Sequence, residues 1–425
     1  MAWRPPERPE WVRAINAGEV TPLCEEAELP LEREALLGEA RARLGVADGG
    51  VADFCGEEFD ADGLVEPLDR VLRALESEAE LTLIGRWMTR RYLLRLLEVR
   101  LQLMAYLRAD PGVRDEPIER PLFVAGAPRT GTTILYELLA DDPALRAPLG
   151  WELLRPVPSP DPDPARRAAD PRIALVDREL VLPQTVVSGL LAMHVYGGSK
   201  PKECVSAMSF TFLSEEFTAR YHVPSYESWL ERCDMTPAYR MHRLVLQILQ
   251  RRSGAAAWLL KSPVHLRSLT TLFEVYPDAQ VAITHRDPLT VLASLTSLIA
   301  TLRWAHSDAV DFESIGAAHA RKYRRIFDDL VGRCERKQLP EAQLHHSRYA
   351  DFQRDPIAVV RDLFHRFGRP LDEMRLASVL ASRARSEHGP HEYSFADLGL
   401  DAEAERSQLH RYQSFFAVPP ERGRS

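Results

Sequence analysis

Gly126-Ala127-Pro128-Arg129-Thr130-Gly131-Thr132-Thr133 places a cation between two glycines and a pair of hydroxyls behind them. Glycines at that spacing let successive backbone N–H groups close around an anion. A helix starting just beyond them would point its positive end at the same place. Loops that hold nucleoside triphosphates carry Lys and then Ser or Thr after the second glycine, for the terminal phosphates and Mg²⁺. Here Thr132 stands in the lysine's place, and the loop's only cation is Arg129, two residues before Gly131. A guanidinium there can fork onto an oxyanion from inside the loop. Pro128, Arg129, Thr130, Gly131, Thr132 and Thr133 are therefore the expected anion-binding residues.

A second group lies where the apolar run AQVAITH meets Arg286-Asp287-Pro288 and then LTVLASLTSLIATL. Asp287 is suited to cap a helix and Pro288 to open it. Ser294 then falls two turns in, near the face Arg286 can reach. A triphosphate hydrolase would want an acidic metal ligand at the end of such a strand. This strand delivers a histidine and Arg286, which suits a further phosphate. Lys261 closes another apolar run, AAAWLLK, so it is expected at the carboxyl edge of a sheet, where open α/β folds bind ligands.

The elements that must position these groups alternate. PLFVAG, AAAWLLK and AQVAITH are short apolar runs, each followed by a turn and a helical pattern. Such runs imply a parallel sheet covered on both faces. The expected fold is a phosphate-loop, three-layer α/β/α arrangement around a central parallel sheet. Residues 31–108 read as amphipathic helices, with Leu64, Leu68, Val71, Leu72 and Leu75 on one stripe. The proline-rich, charged stretch 108–121 is the expected boundary, giving an N-terminal helical region (1–115) packed on a core (116–425) with a mostly helical last third.

Composition limits the partners. Fifty-four basic residues against 62 acidic ones give a net charge of −8, which argues against tracking a nucleic-acid backbone. Five cysteines without CxxC spacing form neither a zinc framework nor a disulfide scaffold, and suit a reducing cytosol. The start, MAWRPPERPEW, lacks a signal-peptide apolar core, and the apolar segments 179–198 and 289–302 are too short or interrupted to span a bilayer. The expectation is a cytoplasmic protein with no transmembrane segment, and homo-oligomerisation stays open.

APRTGTT resembles the 5′-phosphosulfate loop of the sulfotransferases, which use 3′-phosphoadenosine 5′-phosphosulfate (PAPS) as donor. HRDPLTVLAS resembles that superfamily's 3′-phosphate motif. Between them, WLLKSPVHLRSLTTLFEVYPDAQ is similar to the Lys-Ser-Pro segment of the large bacterial sulfotransferase family related to the tyrosylprotein enzymes. The likeness covers most of the chain from about residue 30. It implies that Arg129, the loop N–H groups, Thr132 and Thr133 hold the 5′-phosphosulfate, and that Arg286 and Ser294 hold the 3′-phosphate. It also implies 3′-phosphoadenosine 5′-phosphate (PAP) as product and no metal requirement. Lys261 becomes the cation at the transferring sulfuryl group or its leaving oxygen.

For the acceptor's base the resemblance offers Glu152, which follows the loop helix as in the tyrosylprotein relatives. His194 and His265 are the alternatives, since the cytosolic enzymes use a histidine. Glu203, in KPKECVSAM, reads either as an acceptor neighbour or as a helix-start glutamate. The cytosolic enzymes' C-terminal adenosine motif has no match here; Arg383 and Arg385 in SRARSEHGPHEY are its only basic substitutes. The leucine- and valine-rich segments 180–196 and 289–302 suggest a hydrophobic small-molecule or glycolipid acceptor, although both also read as core helices, the second more readily so than as an acceptor wall. Two other functions stay open: a kinase or NTPase with a phosphate loop, and a silent nucleotide-binding protein of the same fold.

Overall fold

The computed structural model describes residues 3–56, 59–158, 170–187, 197–251, 257–383 and 395–421. Its centre is a five-stranded, all-parallel sheet: β1 (Leu122–Gly126), β2 (Leu145–Arg146), β3 (Ala257–Lys261), β4 (Gln280–His285) and β5 (Leu344–Arg348), in the order β2-β3-β1-β4-β5. The three apolar runs are the three inner strands. Val124 lies in register with Lys261 on one side and Ala282 on the other. The edge strands carried weaker signals. β2 has two residues, and β5 reads Leu-His-His-Ser-Arg, too polar to stand out as a strand.

Alternation along β1 splits its side chains between two layers. Leu122 and Val124 pack with Leu135, Leu139, Val360 and Phe364 on one face. Phe123 and Ala125 pack with Leu244, Val245, Leu292 and Ile299 on the other. The same second cluster takes in Leu64, Leu68 and Val71 of the helix Asp62–Ser77 and Leu93, Leu97 and Leu101 of the helix Leu83–Ala109, so the N-terminal helices bury their stripe in a core continuous with this face. Arg100, on the longer helix, is fully buried and donates to the carbonyls of Phe54 and Phe210 at 2.7 and 2.8 Å, tying the helix to the loops on either side. Among the described residues, no helix is long and apolar enough to cross a membrane.

Candidate active site

The glycine loop joins β1 to the helix Thr132–Leu139, whose N-cap is Gly131. Both glycines are required by geometry. A Cβ on Gly126 would lie 2.5 Å from the Thr284 hydroxyl and 2.7 Å from its carbonyl oxygen. One on Gly131 would lie 2.7 Å from the Tyr349 ring, and the two φ values are +142° and +90°. Arg129 also has a left-handed φ of +69°, a conformation costing a non-glycine residue about 1–3 kcal/mol. Neighbouring groups hold it there. Its Nε donates to Ser294 Oγ at 2.9 Å, and its carbonyl accepts from Arg286 Nη1 at 2.9 Å. Thr130 is buried and spends its hydroxyl inside the loop, on the Ala127 carbonyl and the Thr284 hydroxyl.

Arg129, Arg286 and Ser294, far apart in the chain, therefore meet. Asp287 caps the helix Pro288–Trp304 as expected, accepting from Leu289 N, and also takes hydrogen bonds from Arg406 and from the backbone N–H of Glu421. Arg286 lies 4.2 Å over the Tyr349 ring and forks onto the Glu421 carboxylate at 2.7 and 2.8 Å. A bidentate carboxylate on that guanidinium shows that the geometry suits an oxyanion. Tyr349 and Glu421 had no signal in the sequence. Thr284 had one, as a polar residue within an apolar strand.

Lys261 ends β3 with 3% of its surface exposed. Its ammonium donates to Thr133 Oγ1 at 3.0 Å and pairs with Glu203. The Cys204 N–H donates to the Lys261 carbonyl at 2.9 Å, so the segment carrying Glu203 is fastened to the end of the strand.

Beside this junction opens a cavity of about 710 Å³. Pro128 of the loop, Lys202, Glu203 and Val264 lie on its wall, and Trp87, Met88 and Tyr92 of the N-terminal helical region line it too. Much of the remaining wall is apolar: Leu180, Leu182, Leu295, Leu298, Ile299 and Leu302. Both apolar segments picked out in the sequence thus contribute to it, though residues 188–196 lie outside the described residues. Charged groups on the wall are largely paired. Lys322 bridges Glu215 and Glu227 at 2.9 and 3.0 Å, and those carboxylates hold its ammonium above its usual range although burial works against it. Burial alone would push the Glu216 carboxyl up, but Arg220 and then Lys202 bring it down to about 2. Burial likewise lowers the Lys202 ammonium from its usual value.

The expected bases fare differently. Glu152 is 7% exposed and lies outside the cavity wall. One of its oxygens accepts from Arg146 at 2.6 Å and the other from Leu149 N at 2.9 Å, closing the first turn of the helix Gly150–Leu154. His265 is fully buried in the core against β1. It faces Phe123 edge-on, with Nδ1 2.8 Å from the Tyr239 hydroxyl, and burial next to His242 pushes its pKa well below the usual value, so the ring is neutral. It is not on the cavity wall either. His194, Arg385 and the side chain of Arg383 lie outside the described residues.

A parallel sheet whose central strand runs through a glycine loop into a helix, with arginines converging on that loop, defines a phosphate-loop protein whose loop carries an arginine and no lysine. Residues 121–373 match the model of the Sulfotransferase family, and the chain belongs to that family. Among solved structures it resembles sulfotransferase STF1 from Mycobacterium tuberculosis H37Rv, at 30% identity over 89% of this chain and 98% of that one, with a TM-score of 0.75. It also resembles sulfotransferase STF9 from Mycobacterium avium, at 26% identity over 93% and 99% of the two chains, with a TM-score of 0.78. A curated relative, omega-hydroxy-beta-dihydromenaquinone-9 sulfotransferase Stf3 of Mycobacterium bovis, is 26% identical over 261 residues. That match covers 58% of this chain and 62% of the relative's length.

Proposed function

We propose that the protein transfers a sulfuryl group from PAPS to the hydroxyl of a hydrophobic small molecule or glycolipid, releasing PAP. The observation that carries this reading is the meeting of Arg129, Arg286 and Ser294 at a lysine-free glycine loop, beside a largely apolar cavity. The residues fit the donor. Gly126 and Gly131 let the loop turn tightly against Thr284 and Tyr349, and Arg286 already grips a carboxylate in the manner of a phosphate. Arg129, the loop N–H groups, Thr132 and Thr133 would hold the 5′-phosphosulfate, with Arg286 and Ser294 on the 3′-phosphate. Lys261, next to Thr133, would neutralise charge gathering on the leaving oxygen. When bound, the donor supplies the activated sulfuryl group; the chain's own residues orient it, exclude water and manage charge.

The acceptor reading rests on Leu180, Leu182, Leu295, Leu298, Ile299 and Leu302, which offer an alkyl or isoprenoid chain a dry wall. The name of the curated relative, which specifies a hydroxylated menaquinone, points to the same class of molecule. We place the reaction in the cytoplasm. Incubation with ³⁵S-labelled PAPS and a bacterial total lipid extract tests this directly. Label is expected in lipid-phase products; label confined to water-soluble sugars contradicts the hydrophobic acceptor.

A further inference from the structure

We propose that Glu203, not Glu152, is the general base that takes the acceptor's proton. The inference rests on the sulfotransferase reading. Both oxygens of Glu152 are committed, one to Arg146 and one to the backbone N–H of Leu149, and the side chain is off the cavity wall. Six carboxylates do line the cavity: Glu98, Glu179, Glu203, Glu215, Glu216 and Glu227. Glu98 and Glu179 pair with Arg155, Glu216 with Arg220, and Glu215 and Glu227 with Lys322. Among the described residues, Glu203 is the one of the six that pairs with Lys261, which in turn bonds Thr133 at the start of the loop helix. It stands where the apolar cavity meets the donor loop, its side chain still 27% exposed and its backbone fixed through Cys204 to the end of β3. A base for this reaction has to be there, within hydrogen-bond reach of both an acceptor oxygen and the loop.

The step balances. The acceptor oxygen forms a bond to sulfur while the bond from sulfur to the bridging phosphate oxygen breaks, that oxygen keeping the electron pair. The hydroxyl proton passes to Glu203. Once protonated, Glu203 loses its hold on Lys261, and the ammonium becomes available to the charge arriving on the leaving oxygen. One pair of side chains thereby couples proton removal to leaving-group stabilisation.

The test compares Glu203→Gln with Glu152→Gln, using PAPS, the total lipid extract and PAP titration. Glutamine keeps an oxygen for Lys261 but accepts no proton. Glu203→Gln is expected to lower the transfer rate about 10²–10⁴-fold while PAP affinity stays within about twofold, and to erase the acid limb of the pH–rate profile. Glu203→Asp should be slow but keep that limb. Glu152→Gln should keep it too, at some cost in thermal stability. The assignment is overturned if Glu203→Gln stays within about threefold of wild type, if Glu203→Gln stops binding PAP, or if Glu152→Gln is the variant that loses the acid limb. Wild-type protein that neither binds PAP nor transfers label would remove the sulfotransferase reading itself; an active wild type with an unimpaired Glu203→Gln removes only the base.

Discussion

The loop end of the site and the cavity end are held together in different ways. At the loop, Arg129 is joined to Ser294 and to Arg286 by 2.9 Å hydrogen bonds between two adjacent strand ends, and Asp287 caps the helix that carries Ser294. At the cavity, the wall is gathered from helices separated by more than two hundred residues, Met88 and Ile326 among them, and its buried charges neutralise one another. The first is a fixed electrostatic frame for one kind of anion. The second is a shape with a mixed wall, whose leucines and isoleucines sit beside ionic groups largely paired with one another. A protein built this way should be strict about its donor and should select its acceptor by apolar fit.

Breaking the frame should cost the most. Arg129→Ala is expected to lower transfer about 10²–10³-fold with the fold intact by circular dichroism, and Arg129→Lys should rescue little, since an ammonium cannot fork. Leu298→Ala should instead lower kcat/KM for a lipid acceptor by about tenfold and leave PAP affinity unchanged. If the two variants gave the same pattern, the division between frame and shape would be wrong. Glu421→Ala should be milder still and opposite in sign. On the proposed reading the carboxylate now on Arg286 gives way to a 3′-phosphate, so its removal should tighten PAP binding by up to about fivefold in calorimetry.

The smallest effect near neutral pH concerns two buried histidines, His242 in the core and His306 on the cavity wall. Burial holds His242 and His306 down to about 3, against an ordinary 6.5. The unfolded chain therefore takes up protons below pH 6.5 that the folded chain refuses until about pH 3, and stability falls as pH drops through that window. Urea denaturation midpoints should decrease from pH 7 to pH 4, and a flat profile would contradict this burial.

Legibility in the sequence followed the same division. The frame could be read because its parts are local: glycine spacing, an arginine inside the loop, and Arg286-Asp287-Pro288 leading into a helix that carries Ser294. The three inner strands were equally visible as apolar runs, whereas β5 was hidden by its two histidines: His346 bonds to and stacks on His285 of β4 and stacks on Phe416, and His345 bonds to Asp362. Carboxylate roles were not legible. Glu152 sits at the N3 position of its helix and accepts from the Leu149 N–H, and only the fold reveals that Arg146 takes its other oxygen. Glu203 read equally well as a helix-start residue, because nothing local tells that β3 will bring Lys261 to it.

On the proposed reading the lysine-free loop and Arg286 together recognise a 3′-phosphorylated adenosine donor. Isothermal calorimetry of the wild-type protein with PAP, 5′-AMP and Mg-ATP, repeated on Arg286→Ala, decides it. PAP should bind at least about tenfold more tightly than 5′-AMP, Mg-ATP should bind weakly or not at all, and Arg286→Ala should erase the preference for PAP. Tight Mg-ATP binding without affinity for PAP, or an undiminished preference for PAP in Arg286→Ala, would contradict it.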